Sequence, residues 1–293
     1  ERKTYSIRNK TDYSCKVIES TIDGLHLKIN NREIYTRVCG EFNAYNLLAA
    51  YATCIELNLQ KEMVLIAISN IVAAEGRFEI IKNKNFVSIL DYAHTDDAFR
   101  NIYLSIKKIT KKSITTVFGC GGDRDKHKRS VMLDVVSKNS DFVIITSDNP
   151  RNESFDEITK DMLSNSSNDE IKRYFIVEDR EQAIKLGCTL SIQKKSLLLV
   201  AGKGHEKFQE KNGIKTPFDD KKIIMYFHGD TNNFQETFIS KSNNGLSFNS
   251  NNEPLGLFYF RVFRYKDKFY SVAKNKNEDS IIYESDNFFI YPT

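Results

Sequence analysis

Residues 142–153 read FVIITSDNPRNE: an apolar run, a compact polar cluster, then the start of a segment with helical character. The run Phe142-Val143-Ile144-Ile145 reads as a buried strand, which makes TSDNPRNE the loop at that strand's carboxyl end. Pro150 fixes the backbone there, Asn149 can both donate and accept, and Arg151 carries a planar fork suited to a carboxylate. Three other unusual loops, DYAHT (91–95), GCGGDR (119–124) and AGKGHE (201–206), stand in the same relation to their own apolar runs.

Working outward, strands are expected near 86–91, 114–119, 141–146, 174–178 and 196–201, with helices near 96–109, 127–139, 153–164 and 179–192. Regular strand–helix alternation with near-continuous apolar strands implies an α/β fold, a mostly parallel sheet with helices on both faces. Right-handed crossovers then bring every carboxyl-end loop to one edge, where open α/β sheets bind their ligands. Four polar loops at one edge make a candidate site.

Before this region, residues 1–40 alternate polar and apolar in short β segments with turns at Asp23-Gly24 and Asn30-Asn31. Helices are expected over roughly 43–58 and 61–73, the first with an apolar stripe through Leu47, Leu48, Tyr51 and Ile55. Asn43 and Asn46, three apart, can face the same side of the helix start; Asn43 could equally be a plain helix cap. After it, residues 228–293 are rich in Phe, Tyr and Asn, show no helical period, and suggest short antiparallel strands in FYFRVFRY, KFYSVAK and SIIYES. Asn244-Gly245 reads as a hairpin turn, and a boundary is expected near Phe227–Gly229.

The 293 residues suffice for one large domain or two ordinary ones, and a charged fraction of 28% against 40% hydrophobic is globular. A net charge of +4 with the basic residues dispersed gives no nucleic-acid stripe. Five scattered cysteines without a C-x-x-C pair argue against a disulfide framework or a zinc site and suit a reducing cytoplasm. No apolar run approaches the length of a membrane span. Glu1 is not an initiator Met, so the chain reads as a fragment.

The three glycines of GCGGDRDKHKR could let backbone N–H groups approach an anion at a helix start, or could simply make a tight turn. No G-x-x-x-x-G-K-[ST] phosphate loop occurs anywhere in the chain. In AGKGHE, Glu206 and His205 follow two glycines, with His205 as a possible cap; in DYAHT, Asp91 ends a strand and Thr95 caps the next helix.

Taken in order, GEFNAYNLLAA, GRFE, DYAHTDDA, VFGCGGDRDKHKR, SDNPR, AGKGHE and PFDD resemble the Mur ligase family of peptidoglycan synthesis over about residues 1–227. The likeness is strongest to members that add meso-diaminopimelate to UDP-N-acetylmuramoyl-L-alanyl-D-glutamate. It implies that residues 1–75 end a central ATPase domain and 76–227 form a Rossmann-like C-terminal domain. It implies ATP with Mg2+ as cofactors and amide formation through an acyl phosphate. Carried over by motif, Arg124, Asp148, Asn149, Pro150, Arg151, Gly202 and Glu206 hold the amino acid. Asn43, Asn46, Arg77 and Asp91 touch the nucleotide, with His94 close by. The distal end of diaminopimelate carries an ammonium and a carboxylate, which matches arginines set beside a glutamate and the Gly202 carbonyl. L-Lysine would leave those arginines unpaired. Asp96 stands where the family usually has Pro. The resemblance gives the missing phosphate loop and the lysine-containing segment to parts not in this sequence, so the chain alone is expected to be inactive. Competing readings are a non-catalytic binding module and a sister ligase for another amino acid. Residues 228–293 weakly resemble blades of a glycosidase-type β-propeller, though they are fewer than a propeller needs.

Overall fold

The computed structural model describes residues 2–82 and 86–225, and beyond them only short strands between residues 230 and 285. The chain divides into two compact units, Glu1–Lys221 and Lys222–Thr293.

The first unit holds two apolar cores. Strands β1 (Tyr5–Ser6), β2 (Tyr13–Thr21), β3 (Gly24–Ile29) and β4 (Arg32–Thr36) form a four-stranded sheet in sequence order, followed by helices α1 (Glu41–Glu56) and α2 (Lys61–Asn70). Both hairpin turns fall where expected. Asn30 and Asn31 have φ of 39° and 71°, the left-handed pair that a two-residue turn requires. Alternate strand residues Leu25, Leu27 and Ile29 bury against Leu47, Leu48 and Tyr51 of α1 and Leu65 and Ile68 of α2. Helix α2 stops three residues earlier than its sequence suggests, with Ile71 already extended.

The second core is built on a six-stranded sheet. Its elements are β5 (Glu79–Lys82), β6 (Val87–Asp91), α3 (Asp96–Ile109), β7 (Ile114–Phe118), α4 (His127–Ser137), β8 (Phe142–Thr146), α5 (Phe155–Leu163), the short α6 (Asn168–Ile171), β9 (Tyr174–Val177), α7 (Arg180–Lys194) and β10 (Leu197–Ala201). The strand order is β5-β6-β10-β7-β8-β9, parallel throughout except β5, which runs antiparallel to β6. This is the expected α/β architecture. Residues Ile114, Phe118, Val143, Ile145, Leu197 and Leu199 face one side, where α3, α4 and α5 bring Phe99, Ile106, Leu133, Val136 and Ile158. Their neighbours Val117, Ile144 and Leu198 face α7, which approaches so closely that a Cβ on Gly187 would lie 2.7 Å from Val117 Cγ2. Two-sided burial is the reason these strands are apolar at consecutive positions.

Helix ends follow local chemistry. Thr95 accepts from the Ala98 N–H at the start of α3, and Asp96 with Asp97 supplies negative charge to its first turn. Asp96 suits the first position of the helix. Ser154 and Glu157 form a reciprocal capping box that starts α5 two residues later than expected.

Past β10 lie a hairpin, β11 (Phe208–Lys211) and β12 (Ile214–Pro217), and α8 (Asp220–Met225). In the second unit, Arg261–Tyr265, Lys268–Lys274 and Ser280–Ser285 form an antiparallel three-stranded sheet, so strands occur in all three segments expected to carry them. The Asn244-Gly245 turn and the Phe227–Gly229 boundary lie outside the described residues. Among the described residues no helix is long and apolar enough to cross a membrane.

Candidate functional site

The four loops meet at the carboxyl edge of the large sheet because β10 inserts between β6 and β7. Within them, two groups of side chains can be distinguished.

The first gathers around the loops after β7, β8 and β10. A Cβ placed on Gly121 would lie 3.0 Å from Arg151 Nη1 and 3.7 Å from Arg124 Cγ, so both arginines flank one bare stretch of backbone. Arg151 Nη1 donates to the Gly122 carbonyl at 2.7 Å, and its Nε lies 3.9 Å from Glu210. Arg124 is exposed and takes no partner among the described residues. Asn149, 4% exposed, donates through Nδ2 to Glu206 Oε2 at 2.8 Å. Its Oδ1 accepts from Lys203 Nζ at 3.0 Å and from the Glu210 N–H at 2.9 Å. Arg124, Asn149, Pro150, Arg151, Gly202 and Glu206 thus belong to one rim.

Asp148 is placed differently from its neighbours. It is buried beneath the β10 loop, with Oδ2 2.4 Å from where a Cβ on Gly202 would sit. Burial pushes its carboxyl above the ordinary range, opposed by the charges of Arg180 and Lys203. Gly202 has φ 111° and donates its N–H to the Asp91 carbonyl, a backbone path that favours glycine.

The second group lies on the β6 side. The Arg77 guanidinium sits 4.6 Å from the Tyr92 ring centroid, and Tyr92 also meets His94 at 4.8 Å and His205 at 5.0 Å. His205 is therefore an aromatic neighbour rather than a cap. His94 donates from Nδ1 to the Tyr92 carbonyl. Asp91 is buried, and its two oxygens accept from the N–H groups of Phe78 and Ala93 at 2.7 Å each. Desolvation raises its carboxyl pKa against those two hydrogen bonds and the charges of Arg77 and His94. Asn43 does not cap α1. Gly40 occupies that position, while Asn43 Nδ2 donates back to the Cys39 carbonyl and Asn43 Oδ1 accepts from Asn46. The two amides share a face as expected, and Phe42 beside them packs edge-on to Phe78 at 5.5 Å.

The glycines of GCGG serve the protein's own backbone. A Cβ on Gly119 would lie 2.1 Å from the Thr146 carbonyl oxygen, and one on Gly122 1.8 Å from that of Pro150. The Gly122 N–H donates to the Asn149 carbonyl, so at Gly119 and Gly122 the absence of a side chain serves close loop packing, as the tight-turn reading expects. Among the described residues no group of three or more His, Cys, Asp or Glu is placed to hold a metal. All five cysteines are free, and burial pushes the thiols of Cys120 and Cys188 up to about 12.

Sequence reading missed three buried cations. Arg129, at 1% exposure, donates to Glu153, to Asp161 and to the Gly121 carbonyl, joining the β7 and β8 loops. Arg180 pairs with Asp220 and also donates to the carbonyls of Ser147 and Ala201, joining the β8 and β10 loops. Lys203 is wholly buried. Glu210 was missed with its hairpin, although Asn212-Gly213 between KFQEK and IKTP is a turn signal.

Residues 76–204 match the family model described as Mur ligase, glutamate ligase domain. The chain is 45% identical over 223 residues to the UDP-N-acetylmuramoyl-L-alanyl-D-glutamate–2,6-diaminopimelate ligase of Cytophaga hutchinsonii. It is 44% identical over 224 residues to that of Phocaeicola vulgatus. Each alignment covers 75% of this chain and 46% of the relative, so the chain spans about half the length of the curated relatives it matches. A solved structure of a ligase with the same name aligns with TM-score 0.55 and 30% identity over 76% of this chain and 46% of that one. The UDP-N-acetylmuramate–alanine ligase of Thermotoga maritima aligns with TM-score 0.52 and 22% identity over 69% of this chain and 44% of that one, which is a likeness of fold alone.

Proposed function

From a chain that belongs to the Mur ligase family through residues 76–204, we propose a role in binding meso-diaminopimelate for ATP-dependent amide formation on UDP-N-acetylmuramoyl-L-alanyl-D-glutamate. Residues 1–75 and 76–227 are then the end of a central domain and the amino-acid-binding domain, working in the cytoplasm. The observation that carries this reading is the shared rim: Arg124 and Arg151 flank Gly121, and Asn149 ties Glu206 to the same place. Guanidinium forks suit a carboxylate, and Glu206 suits an ammonium, the two groups that diaminopimelate carries at its far end. Pro150 and the left-handed φ of 51° at Arg151 aim the guanidinium back at the β7 loop. Asp148 supports the rim from below Gly202.

The cluster of Arg77, Tyr92 and His94 fits the edge of a nucleotide, since it offers a cation, an aromatic face and polar groups; Asn46, exposed on α1, is assigned to the same nucleotide by its motif. Asp91 acts there by holding the Phe78 and Ala93 N–H groups, and Asn43 by orienting Asn46. Bound together with the nucleotide, magnesium would offset the charge of its phosphates. ATP supplies the phosphoryl group that activates the D-Glu carboxylate for attack by the amine.

The test is calorimetric titration of this chain with meso-diaminopimelate and with L-lysine. Diaminopimelate is expected to bind more tightly, and Arg151→Ala to weaken it about tenfold or more, the loss of a charge-assisted hydrogen bond. Equal affinity for both ligands, or an Arg151→Ala chain that binds diaminopimelate as well as the parent, overturns the assignment.

A further inference from the structure

Lys203 lies in the middle of the rim, yet nothing in the proposed chemistry calls for a third cation there. Its side chain is fully buried, and among the described residues its ammonium has two hydrogen-bonding partners, Asn149 Oδ1 at 3.0 Å and Glu206 Oε2 at 3.2 Å, with the Phe208 ring centroid 5.7 Å away. A buried ammonium is costly unless paired, so these contacts hold Asn149 and Glu206 as firmly as they hold the lysine. The Asn149 amide can take only one orientation. Oδ1 receives two donors, Lys203 Nζ and the Glu210 N–H, which forces Nδ2 toward Glu206. Glu206 Oε2 consequently accepts from both Asn149 and Lys203, whereas Oε1 has no hydrogen-bond partner among the described residues, and the side chain is 20% exposed.

Charge sharpens the point. Around the rim, Arg151 faces Glu210, Lys203 faces Glu206, and Arg124 flanks Gly121 beside Arg151, with Asp148 buried beneath Gly202, while Arg180 and Asp220 pair with each other. With Lys203 charged, three cations (Arg124, Arg151 and Lys203) match three carboxyl groups (Glu206, Glu210 and the buried Asp148); without it the carboxyl groups are in excess. A ligand end bearing an ammonium together with a carboxylate is electrically neutral and keeps that balance; a lone ammonium upsets it.

Resting on the diaminopimelate reading, we propose that Lys203 is a specificity-determining positioning residue: it presents a single Glu206 oxygen to the ligand ammonium and makes the rim reject amino acids that end in an ammonium alone. The Arg124–Arg151 fork attracts the distal carboxylate; Lys203 supplies the penalty against its absence.

The experiment compares dissociation constants of meso-diaminopimelate and L-lysine for the whole chain carrying the native residue, Lys203→Met or Lys203→Gln. Stoichiometry from the same titrations and circular dichroism report the folded fraction. Lys203→Met is expected to weaken diaminopimelate binding about tenfold, as for a lost hydrogen bond to a charged group. L-Lysine binding should hold or improve, so the ratio of the two collapses. Lys203→Gln keeps a donor for Asn149 and Glu206 without the charge, guards against loss of folding, and should lose the same discrimination. A purely structural lysine would weaken both ligands in proportion; an unchanged ratio at full stoichiometry in either variant overturns the proposal. If the native chain itself binds neither amino acid, the underlying reading of the site falls, and the native titration alone shows it.

Discussion

Replacing Arg180 by Met should destabilise the first unit by about 3–5 kcal/mol, the cost of stranding a buried charge. The guanidinium meets Asp220 through two parallel bonds, Nε to Oδ1 at 2.8 Å and Nη2 to Oδ2 at 2.7 Å, with both side chains fully buried. Two unit charges about 4 Å apart at an effective dielectric of about 20 attract by roughly 4 kcal/mol, in line with that cost. Nη2 also donates to the Ala201 carbonyl at 3.0 Å and Nη1 to that of Ser147 at 3.4 Å, so the variant frees carbonyls immediately before Gly202 and Asp148. Removing both charges in Arg180→Met/Asp220→Leu strands neither, and most of the loss should be recovered. Urea unfolding of the native chain, both single variants and the double variant, followed by circular dichroism, completes the cycle. A single variant costing under about 1 kcal/mol, or a double variant whose cost equals the sum of the singles, would refute the view of Arg180 as a buried clamp.

Glu153, 13% exposed at its side chain, has its pKa lowered from 4.5 to about 2, chiefly by hydrogen bonds from Arg129. A depressed folded-state pKa means stability present above pH 4.5 and lost as pH falls toward 2, worth at most about 3 kcal/mol. Urea midpoints measured from pH 6 downward should therefore fall more steeply for the native chain than for Glu153→Gln, and parallel slopes would contradict the pairing. Gly187→Ala gains about 1 kcal/mol of helix propensity but drives a methyl to within 2.7 Å of Val117 Cγ2 and 3.0 Å of Leu198 Cδ1. Overpacking of this kind costs about 1–3 kcal/mol, so the melting temperature should fall; a rise would show that α7 can move outward.

The sheet was legible because burial on both faces leaves a strong imprint. Runs such as Leu197-Leu198-Leu199-Val200-Ala201 are apolar at every position, and only a strand covered on both sides explains that in five residues. Edge elements left a weaker imprint. Glu79-Ile80-Ile81-Lys82 is half-exposed and short, and β12 is exposed at each of its residues, so neither stood out from loop sequence. The buried cations were harder still. Arg129, Arg180 and Lys203 sit in charge-rich stretches that read as solvated helix starts and turns. What buries Arg180 is Asp220, forty residues on, and what buries Arg129 is Glu153, twenty-four residues on. Local pattern carries no signal for such pairs. Of the glycines of GCGG, Gly119 and Gly122 serve the tight turn that the sequence offered as one of two readings, since the group that approaches them is the carbonyl of the protein's own β8 loop.

That loop packing explains why the site can exist at this edge at all. Entering the sheet last, β10 takes a central place, and its loop must touch loops that belong to strands on either side. Toward β6 the contact is close: a Cβ on Gly204 would lie 2.7 Å from that of Tyr92, and the Gly202 N–H reaches the Asp91 carbonyl at 3.1 Å. Toward β8 the β7 loop intervenes, and any side chain at 119 or 122 would hold Asn149 away from Glu206 and Lys203. With hydrogen alone at those positions, the Thr146 and Pro150 carbonyls settle onto the β7 loop and the Asn149 amide spans to the β10 loop. The rim thus depends on two absent side chains as much as on the charged ones present. Gly122→Ala, which would put a methyl 1.8 Å from the Pro150 oxygen, should therefore abolish diaminopimelate binding more completely than Arg151→Ala, because it displaces Asn149 and Arg151 together. Titration of the two variants side by side decides it: weaker impairment by Gly122→Ala than by Arg151→Ala would show that the loops find another way to meet.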